Sequence, residues 1–329
     1  MRIGIVGGGA WGTALALVAA RRGHDAVLWA REPEVIADIA TRRENTTFLP
    51  GIALSERIRP TSEIAEAAAA GIVLLVAPAQ HLTGVAATMR PHVAPDAAVA
   101  LCAKGIENGS LRLMTEVAGD VMPQARLAVL SGPTFAREVA RGLPTAVTVA
   151  ARDIAVGQAV VEALGGPMFR PYLSDDPIGA EIGGAVKNVI AVACGIVQGM
   201  ALGDNARAAL ITRGLAEMLR LGRAKGARAE TLMGLSGLGD LTLTCNGPLS
   251  RNLSVGIEIG RGRTLAEATE GKSSIAEGVA TASAVAELAD RLGVDMPIST
   301  AVAAVLHRGA DVRSTVDALL GRPFKSETA

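Results

Sequence analysis

Three glycines near the start of the chain have the spacing that binds dinucleotides. Gly7, Gly9 and Gly12 fill the slots of G-x-G-x-x-G, between an apolar run at 2–6 and a helical pattern at 11–22. The first glycine permits a tight turn, the second lets backbone approach a pyrophosphate, and the third lets helix pack on strand. The amino end of that helix faces the anion. The pattern predicts a dinucleotide-binding turn, and the alternative is a turn with only a structural role.

About twenty residues further, dinucleotide folds place the side chain that inspects the adenosine ribose. The chain has Trp29-Ala30-Arg31-Glu32 there. A guanidinium suits the 2′-phosphate of NADP, whereas a carboxylate suits the free 2′-hydroxyl of NAD. Arg31 therefore favours NADPH, and NADH stays open because Arg31 and Glu32 could instead form a solvated pair at a strand end.

One lysine lies within an apolar helical pattern that is rich in small residues. On a helix, Lys187 has Gly183, Gly184 and Ala191 as its neighbours, so a small ligand could approach the ammonium closely. Partial burial would lower the pKa of this lysine toward the range of general acid/base chemistry. Alternatively, Lys187 snorkels from a core helix or pairs with a carboxylate. Its place beside Asn188 in a nucleotide-binding chain favours the functional interpretation.

Two further clusters carry groups that suit a phosphorylated substrate. Asp240 follows a glycine-rich stretch at 234–239, and Ser250, Arg251 and Asn252 group a hydroxyl, a guanidinium and an amide. Arginine can donate two parallel hydrogen bonds to an oxyanion, so this second cluster predicts a phosphate clamp. Ser250 alone could equally be a helix N-cap.

Alternating strand and helix patterns have to position these groups. Helical stretches separate most of the β-rich runs, which indicates a mostly parallel sheet. From 178 to 318 only helical patterns follow, with glycine-rich turns at 234–239 and 256–262. We therefore predict an α/β protein, with an N-terminal doubly wound Rossmann-type domain (1–176) and an all-α C-terminal domain (177–329). The predicted strands are 2–6, 26–29, 72–76, 97–102, 127–130 and 146–149.

Charge and cysteine usage exclude several classes of protein. With 32 basic and 32 acidic residues, the chain has no basic field for a nucleic-acid backbone. Cys102, Cys194 and Cys245 are far apart and never form C-x-x-C, which argues for a reducing compartment and against disulfides or a zinc site. We expect no nucleic-acid partner and no metal.

The most apolar stretch, 182–202, is long enough to raise the question of a membrane span. It contains Lys187 and Asn188 in its middle, and inserting such a pair into a bilayer is costly. A buried helix at the centre of a helical domain accounts for it better. Because the first residues also lack a signal-peptide pattern, we expect a cytoplasmic protein without a membrane span.

Six sequence blocks follow one another along the chain: GGGAWGTAL (7–15), AKGIE (103–107), SGPTFARE (131–138), GGAVKN (183–188), GDNARAA (203–209) and SRN (250–252). In these blocks and in their order, from Arg2 to about Leu320, the chain resembles the NAD(P)-dependent glycerol-3-phosphate dehydrogenases of the bacterial type. The resemblance implies reversible hydride transfer between NAD(P)H and dihydroxyacetone phosphate, giving sn-glycerol 3-phosphate for glycerophospholipid synthesis. It also implies a homodimer.

The same resemblance implies roles for individual residues. Lys187 matches the acid/base lysine that protonates the developing alkoxide, and Lys104 matches a lysine that contacts cofactor and substrate. Thr134 stands where the family usually has serine, and Phe48 replaces a common tyrosine. The implied substrate contacts are Lys104, Gly132, Thr134, Lys187, Asp240, Ser250, Arg251 and Asn252, of which Arg251 and Asn252 meet the phosphate. The implied cofactor contacts are Gly7, Gly9, Ala10, Trp11, Gly12, Arg31, Lys104, Ala136, Arg251, Ile275 and Glu277.

Two other functions stay open at this point. A dehydrogenase of the same plan that acts on a β-hydroxy acid or a ketopantoate-like substrate would need arginine or lysine for a carboxylate, not the cluster at 250–252. A non-catalytic dinucleotide sensor would lack the lysine of the small-residue face, whereas Lys187 is present.

Overall fold

Eight strands form one sheet in the computed structural model, which describes residues 1–271, 276–323 and 326. They are β1 (Arg2–Val6), β2 (Asp25–Trp29), β3 (Ile58–Thr61), β4 (Ile72–Leu75), β5 (Ala98–Leu101), β6 (Arg126–Ser131), β7 (Thr145–Ala150) and β8 (Phe169–Ser174). Their order is β3-β2-β1-β4-β5-β6-β7-β8, with all neighbours parallel except the antiparallel pair β6 and β7. The predicted mostly parallel sheet is confirmed.

The strands that the sequence predicts are the inner ones, and the two it misses are the edges. β4 and β5 are buried along their whole length, so they read as continuous apolar runs. β3 and β8 each contain a proline, Pro60 and Pro171, and expose part of their residues. Prolines and polar side chains are typical of edge strands and mask the strand pattern in the sequence.

In the described part of the chain, seven helices cover the two faces of the sheet. One face packs against α1 (Ala10–Arg21), α2 (Pro33–Arg42), α6 (Ala136–Arg141) and α7 (Ile154–Leu164). The other packs against α3 (Ile64–Ala68), α4 (Leu82–Met89) and α5 (Met114–Val121). This layering explains why the strands between them need small aliphatic side chains on both sides.

After β8 the described chain is helical. The helices are α8 (Pro177–Gly199), α9 (Asp204–Lys225), α10 (Ala229–Leu232), α11 (Asp240–Asn246), α12 (Arg251–Gly260), α13 (Leu265–Thr269), α14 (Glu277–Arg291), α15 (Pro297–His307) and α16 (Val312–Leu320). Among the described residues, α8 alone is long and apolar enough to cross a membrane, but its apolar window lies entirely inside the protein. The prediction of a buried central helix is confirmed.

Glycines let α12 pack directly on α8. A Cβ on Gly195 would overlap the carbonyl oxygen of Leu253, and a Cβ on Gly256 would overlap that of Val192. The predicted turn at 256–262 is therefore wrong for 256–260, which is helical. Glycine there makes room for a neighbouring backbone instead of ending the helix.

The predicted glycine turn at 234–239 is also wrong. Residues 235–239 form a π-helical turn that continues without a break into α11. A Cβ on Gly237 would overlap the carbonyl oxygen of Leu232, and a Cβ on Gly183 would overlap that of Ser236. These glycines fit the turn between α10 and α8, and π-helical turns are frequent at functional sites.

The reversal at β7 determines where α8 starts. β7 is antiparallel to β6, and β8 is parallel to β7. The last residue of β8 therefore lies at the same end of the strands as the first residue of β6. α8 begins after a two-residue link, with Pro177 in its first turn and the Asp176 carboxylate capping Gly179 N at 2.9 Å. The helix then runs back along the sheet, so that Gly184 reaches Ser131 at the end of β6.

Candidate active site

The glycine turn between β1 and α1 has the geometry that its pattern predicts. Gly7 has φ +130°, and a Cβ there would lie 2.8 Å from the carbonyl oxygen of Val76. A Cβ on Gly12 would overlap the carbonyl oxygen of Gly7, so the third glycine lets the helix pack on the turn. Gly9 faces open space, with no atom of the described residues within 4 Å of a Cβ placed on it. A ligand can therefore approach the backbone at the amino end of α1, which no side chain caps in the part of the chain that the structure describes.

Ala10 and Trp11, two of the predicted cofactor contacts, begin α1 directly after this turn. Ala10, Trp11 and Ala136 are partly buried, and with Phe48 they pack against the core on the same face of the sheet. The indole Nε1 of Trp11 is buried and has no hydrogen-bond partner among the described residues. Ile275, which the sequence also places at the cofactor, lies outside the described residues.

Arg31 lies just beyond the end of β2, at the height of the glycine turn. Its side chain is 77% exposed and pairs with Glu32 at 3.1 Å. This is the solvated pair that the sequence left open as the alternative, and it also leaves the guanidinium free to turn toward a ligand. Selection of NADP by Arg31 stays a prediction.

Two lysines and one carboxylate form the centre of the site. Asp240 is fully buried; its Oδ1 accepts a hydrogen bond from Lys187 Nζ at 2.8 Å, and its Oδ2 accepts one from Lys104 Nζ at 2.7 Å. Lys104 follows β5, Lys187 comes from the middle of α8 and Asp240 begins α11. Elements far apart in sequence thus bring two cations to a single anion, and charge-assisted bonds of this length are strong.

The remaining hydrogen bonds of the two ammonium groups reach their immediate surroundings. Lys104 Nζ also donates to the carbonyl oxygen of Gly132 at 2.9 Å and to Thr134 Oγ1 at 3.4 Å. Lys187 Nζ also donates to Thr244 Oγ1 at 2.8 Å. Sequence reasoning missed Thr244, although its position four residues after Asp240 puts both on one face of α11.

Other parts of the protein pack against the small residues around Lys187. The sequence predicts instead that this face is open to a ligand. The π-helical turn at 235–239 packs on Gly183. A Cβ on Gly184 would lie 3.0 Å from Ser131 Oγ and 3.2 Å from Lys104 Cγ. The glycines therefore allow the second lysine to lie against α8, which brings the two ammonium groups onto Asp240.

Burial sets the protonation behaviour of Lys187. Removal from water lowers the pKa of its ammonium from 10.5 to about 8; Asp240 opposes this shift and the nearby Lys104 adds to it. A lysine with a pKa near 8 can both donate and accept a proton close to neutral pH. This property suits general acid/base catalysis.

Two residues of the cluster at 250–252, Ser250 and Asn252, already form hydrogen bonds within the protein. Ser250 Oγ caps α12 by accepting from Leu253 N at 3.2 Å, as the alternative interpretation expects. Asn252 is buried; its Nδ2 donates to Asn188 Oδ1 at 2.8 Å and its Oδ1 accepts from Gly278 N at 2.9 Å. Contacts of Ser250 and Asn252 with a substrate stay predictions, and these bonds already tie α12 to α8 and α14.

Arg251 is the exposed member of that cluster. Among the described residues its guanidinium has no hydrogen-bond or ion-pair partner, while Glu277 lies close enough to influence its charge. Desolvation lowers the pKa of the Arg251 guanidinium and Glu277 raises it. An unpaired guanidinium at the amino end of α12 is available to an anion.

Glu277 connects the helical part to the loops after β4 and β5. Its Oε1 accepts from Ala79 N at 3.4 Å, and a Cβ on Gly105 would lie 3.5 Å from its Oε2. Burial raises the pKa of the Glu277 carboxyl, whereas the bond from Ala79 and the charge of Arg251 lower it. The loops after β4 and β5 therefore meet the start of α14, close to Arg251 at the start of α12. The described residues include no group of His, Cys, Asp and Glu that could hold a metal ion.

Comparison with known proteins gives matches over nearly the whole length of the chain. Family models for the NAD-dependent glycerol-3-phosphate dehydrogenase N-terminus and C-terminus match residues 2–156 and 176–317. The glycerol-3-phosphate dehydrogenase (NAD(P)+) of Parvibaculum lavamentivorans is 57% identical over 99% of this chain and 98% of its own. The enzyme of that name from Caulobacter vibrioides is 55% identical over 99% and 98%. The solved glycerol-3-phosphate dehydrogenase of Coxiella burnetii is 39% identical, with a TM-score of 0.94 over 98% of this chain and 99% of that one.

Proposed function

The chain belongs to the NAD-dependent glycerol-3-phosphate dehydrogenase family, and we propose that Lys187 is its general acid and base. The protein is an NAD(P)-dependent oxidoreductase that interconverts dihydroxyacetone phosphate and sn-glycerol 3-phosphate. The observation that carries the proposal is the buried Asp240 carboxylate shared by the ammonium groups of Lys104 and Lys187.

The bound dinucleotide supplies the hydride in the reduction and accepts it in the oxidation. The residues that fit it are the glycine turn with its open Gly9, the partly buried Trp11 and Ala136, and Glu277. Among residues 1–271 and 276–323, nothing pairs with Trp11 Nε1 or caps the amino end of α1, so both leave donors for an anionic ligand.

Lys187 completes the reduction by proton transfer. As the carbonyl carbon of the ketone gains two electrons with the hydride, the carbon–oxygen π pair moves to oxygen. The Lys187 ammonium gives that oxygen its proton and becomes a neutral amine, which solvent then reprotonates. The Lys104 ammonium stabilises the developing alkoxide, because a cation held in a largely buried site acts strongly on new negative charge.

Asp240 supports this chemistry by holding both lysines. Both of its carboxylate oxygens already accept charged hydrogen bonds, so its main effect is on the position and protonation of Lys187. Direct contact between Asp240 and the substrate stays a prediction. Arg251, with its free guanidinium, is the residue that we assign to the substrate phosphate.

Initial rates of reduced-nicotinamide absorbance loss test the reaction. We expect fast oxidation of NADPH or NADH with dihydroxyacetone phosphate and none with unphosphorylated dihydroxyacetone. The ratio of the two cofactor rates, in the wild type and in Arg31→Ala, measures what Arg31 contributes. Absence of oxidation with both cofactors, in folded protein that binds a dinucleotide, would contradict the assigned substrate.

A lysine substitution tests the proton-transfer role. Lys187→Met should lower kcat about 100- to 10,000-fold, the usual contribution of general acid/base catalysis, while dinucleotide binding remains. Lys225→Met is a matched control, because Lys225 forms an ion pair with Glu116 outside the site. Turnover close to wild type in Lys187→Met would contradict the assignment.

We also propose a cytoplasmic homodimer whose product supplies glycerophospholipid synthesis, as the family resemblance implies. The three cysteines are free and buried, which suits a reducing compartment. Light scattering after size-exclusion chromatography tests the dimer: a mass near twice 33.5 kDa is expected, and a monomeric mass would contradict it.

A further inference from the structure

A buried asparagine lies beneath the glycine turn, and neither its sequence context nor the proposed mechanism gives it a role. Asn45 is 0% exposed and lies in the connection between α2 and β3. Its Nδ2 donates to the carbonyl oxygen of Gly8 and to Thr13 Oγ1, both at 2.8 Å. Its Oδ1 accepts from Phe48 N at 3.1 Å. The amide is therefore bonded on both sides.

Thr13 extends this network to the next peptide. Its Oγ1 accepts from Asn45 and donates to the carbonyl oxygen of Gly9 at 3.0 Å. The backbone N–H of Thr13 donates to the same oxygen at 3.0 Å. The carbonyl groups of Gly8 and Gly9 are thus both held on the protein side of the turn.

Peptide geometry converts these bonds into an orientation of the opposite groups. In a trans peptide, the carbonyl of one residue and the N–H of the next point in opposite directions. The described chain has no cis peptide bond. Fixing the Gly8 carbonyl on Asn45 therefore turns Gly9 N–H away from Asn45. Fixing the Gly9 carbonyl on Thr13 likewise turns Ala10 N–H away from the Thr13 side chain. These N–H groups belong to the uncapped start of α1.

We propose that Asn45 is a positioning residue for the dinucleotide. Without touching the cofactor, it holds the Gly8–Gly9 peptide so that the N–H groups of the turn face the pyrophosphate. Glycine has no side chain to restrict its own rotation, so the restriction must come from a neighbour. A preorganised turn binds more tightly because less ordering remains to be done on binding. This inference rests on the proposed function, which assigns the turn to the dinucleotide.

The test uses full-length variants and calorimetric titration with NADPH and NADH. Asn45→Ala and Thr13→Val should each raise the dissociation constant of the preferred cofactor about tenfold. At saturating cofactor, the KM for dihydroxyacetone phosphate should change less than about twofold. Thr13→Ser keeps the hydroxyl and should bind like the wild type, so the Thr13 pair answers the question even when Asn45→Ala does not fold.

A remote buried hydroxyl provides the control. Ser299 is also 0% exposed and donates to Glu217 at 2.7 Å in the helical part. Ser299→Ala should lower the melting temperature without a change in dinucleotide affinity. Variants of Asn45 and Thr13 that lose stability but keep wild-type affinity would overturn the inference alone. A wild-type chain that binds neither dinucleotide would overturn the proposed function together with it.

Discussion

Burial of single side chains gives the site a measurable dependence on pH. Reduction of the ketone needs Lys187 with its proton, and its pKa is lowered to about 8. We expect kcat for reduction to fall as pH rises above about 8, and kcat for oxidation to fall as pH drops below it. Steady-state rates in both directions across pH 6–10 would measure this.

Asp240→Asn tests the origin of that profile. Asp240 raises the pKa of Lys187, so loss of its charge should lower this pKa further. The alkaline limb of the reduction profile should then move to lower pH, together with a lower maximal rate. A limb that stays in place would mean that another group titrates.

Substitution of Arg251 should weaken the affinity for the phosphorylated substrate. Arg251→Ala should raise the KM for dihydroxyacetone phosphate about tenfold to a hundredfold, because a hydrogen-bonded charge contact contributes about 1.5–3 kcal/mol. Arg263→Ala is the control, since Arg263 pairs with Glu258 on the surface. An unchanged KM in Arg251→Ala would assign this residue to structure.

The sequence predicts the identity of the residues at the centre of the site, but it does not predict the hydrogen bonds between them. Lys104, Lys187 and Asp240 are all proposed from motifs, but that one carboxylate meets both lysines depends on three distant elements. Thr244 is missed because residues 235–239 read as a turn, which hides the helical spacing from Asp240. Asn45 gives no signal in the sequence, since the Gly8 carbonyl and the Thr13 hydroxyl that its amide contacts lie 37 and 32 residues away along the chain.

At the scale of the helices, the close packing of α8 on α12 through Gly195 should stabilise the fold. A Cβ on Gly195 would overlap the carbonyl oxygen of Leu253, so Gly195→Ala should separate α8 from α12. We expect a loss of about 1–3 kcal/mol in unfolding free energy. Activity should fall as well, because these two helices carry Lys187 and Asn252. Urea unfolding and initial rates would show both effects.

Gly84 provides the matched comparison. It lies inside α4, and none of the residues that the structure describes lies within 4 Å of a Cβ placed on it. Gly84→Ala should raise the unfolding free energy by about 0.5–1 kcal/mol, because glycine is a poor helix former. Equal effects at Gly84 and Gly195 would contradict the packing explanation.

These glycines also show why some elements escape prediction. A glycine in a helical pattern can end the helix or admit a neighbour, and the local sequence is the same in both cases. Gly256 and Gly237 are of the second kind, because their partners lie on α8 and in the α10 segment. The inner strands are predictable because burial on both faces leaves a long apolar run, whereas the edges β3 and β8 contain proline.

The two parts of the molecule meet at a buried carboxyl. Glu181 on α8 is 3% exposed and accepts hydrogen bonds from the N–H and hydroxyl of Thr115 on α5, both at 2.7 Å. Burial raises the pKa of this carboxyl to about 7; the Thr115 bonds and the charge of Lys225 lower it, and Glu116 raises it. The predicted boundary at 176/177 stays a prediction, and this contact crosses it.

Stability should respond to the titration of Glu181. Its pKa is higher in the folded than in the unfolded state, so its stabilisation is present below pH 4.5 and is lost as pH rises to about 7. Glu181→Gln removes this loss and keeps groups that can bond Thr115. Relative to wild type, the variant should gain up to about 3 kcal/mol between pH 4.5 and 8, measured by urea unfolding. Parallel pH curves for the two proteins would contradict this.

The path of α8 limits how this protein can change by insertion. The helix starts at the end of the sheet where β8 finishes and places Lys187 at the opposite end. The residues between Pro177 and Lys187 therefore fix the position of the lysine along the helix axis and the direction in which it points. One extra residue before Lys187 would turn the lysine by about 100° and advance it by about 1.5 Å. An insertion of four would nearly restore the facing direction but shift the ammonium by about 6 Å, well beyond reach of Asp240. We therefore expect changes in length to be confined to the surface loops and excluded from this half of the helix.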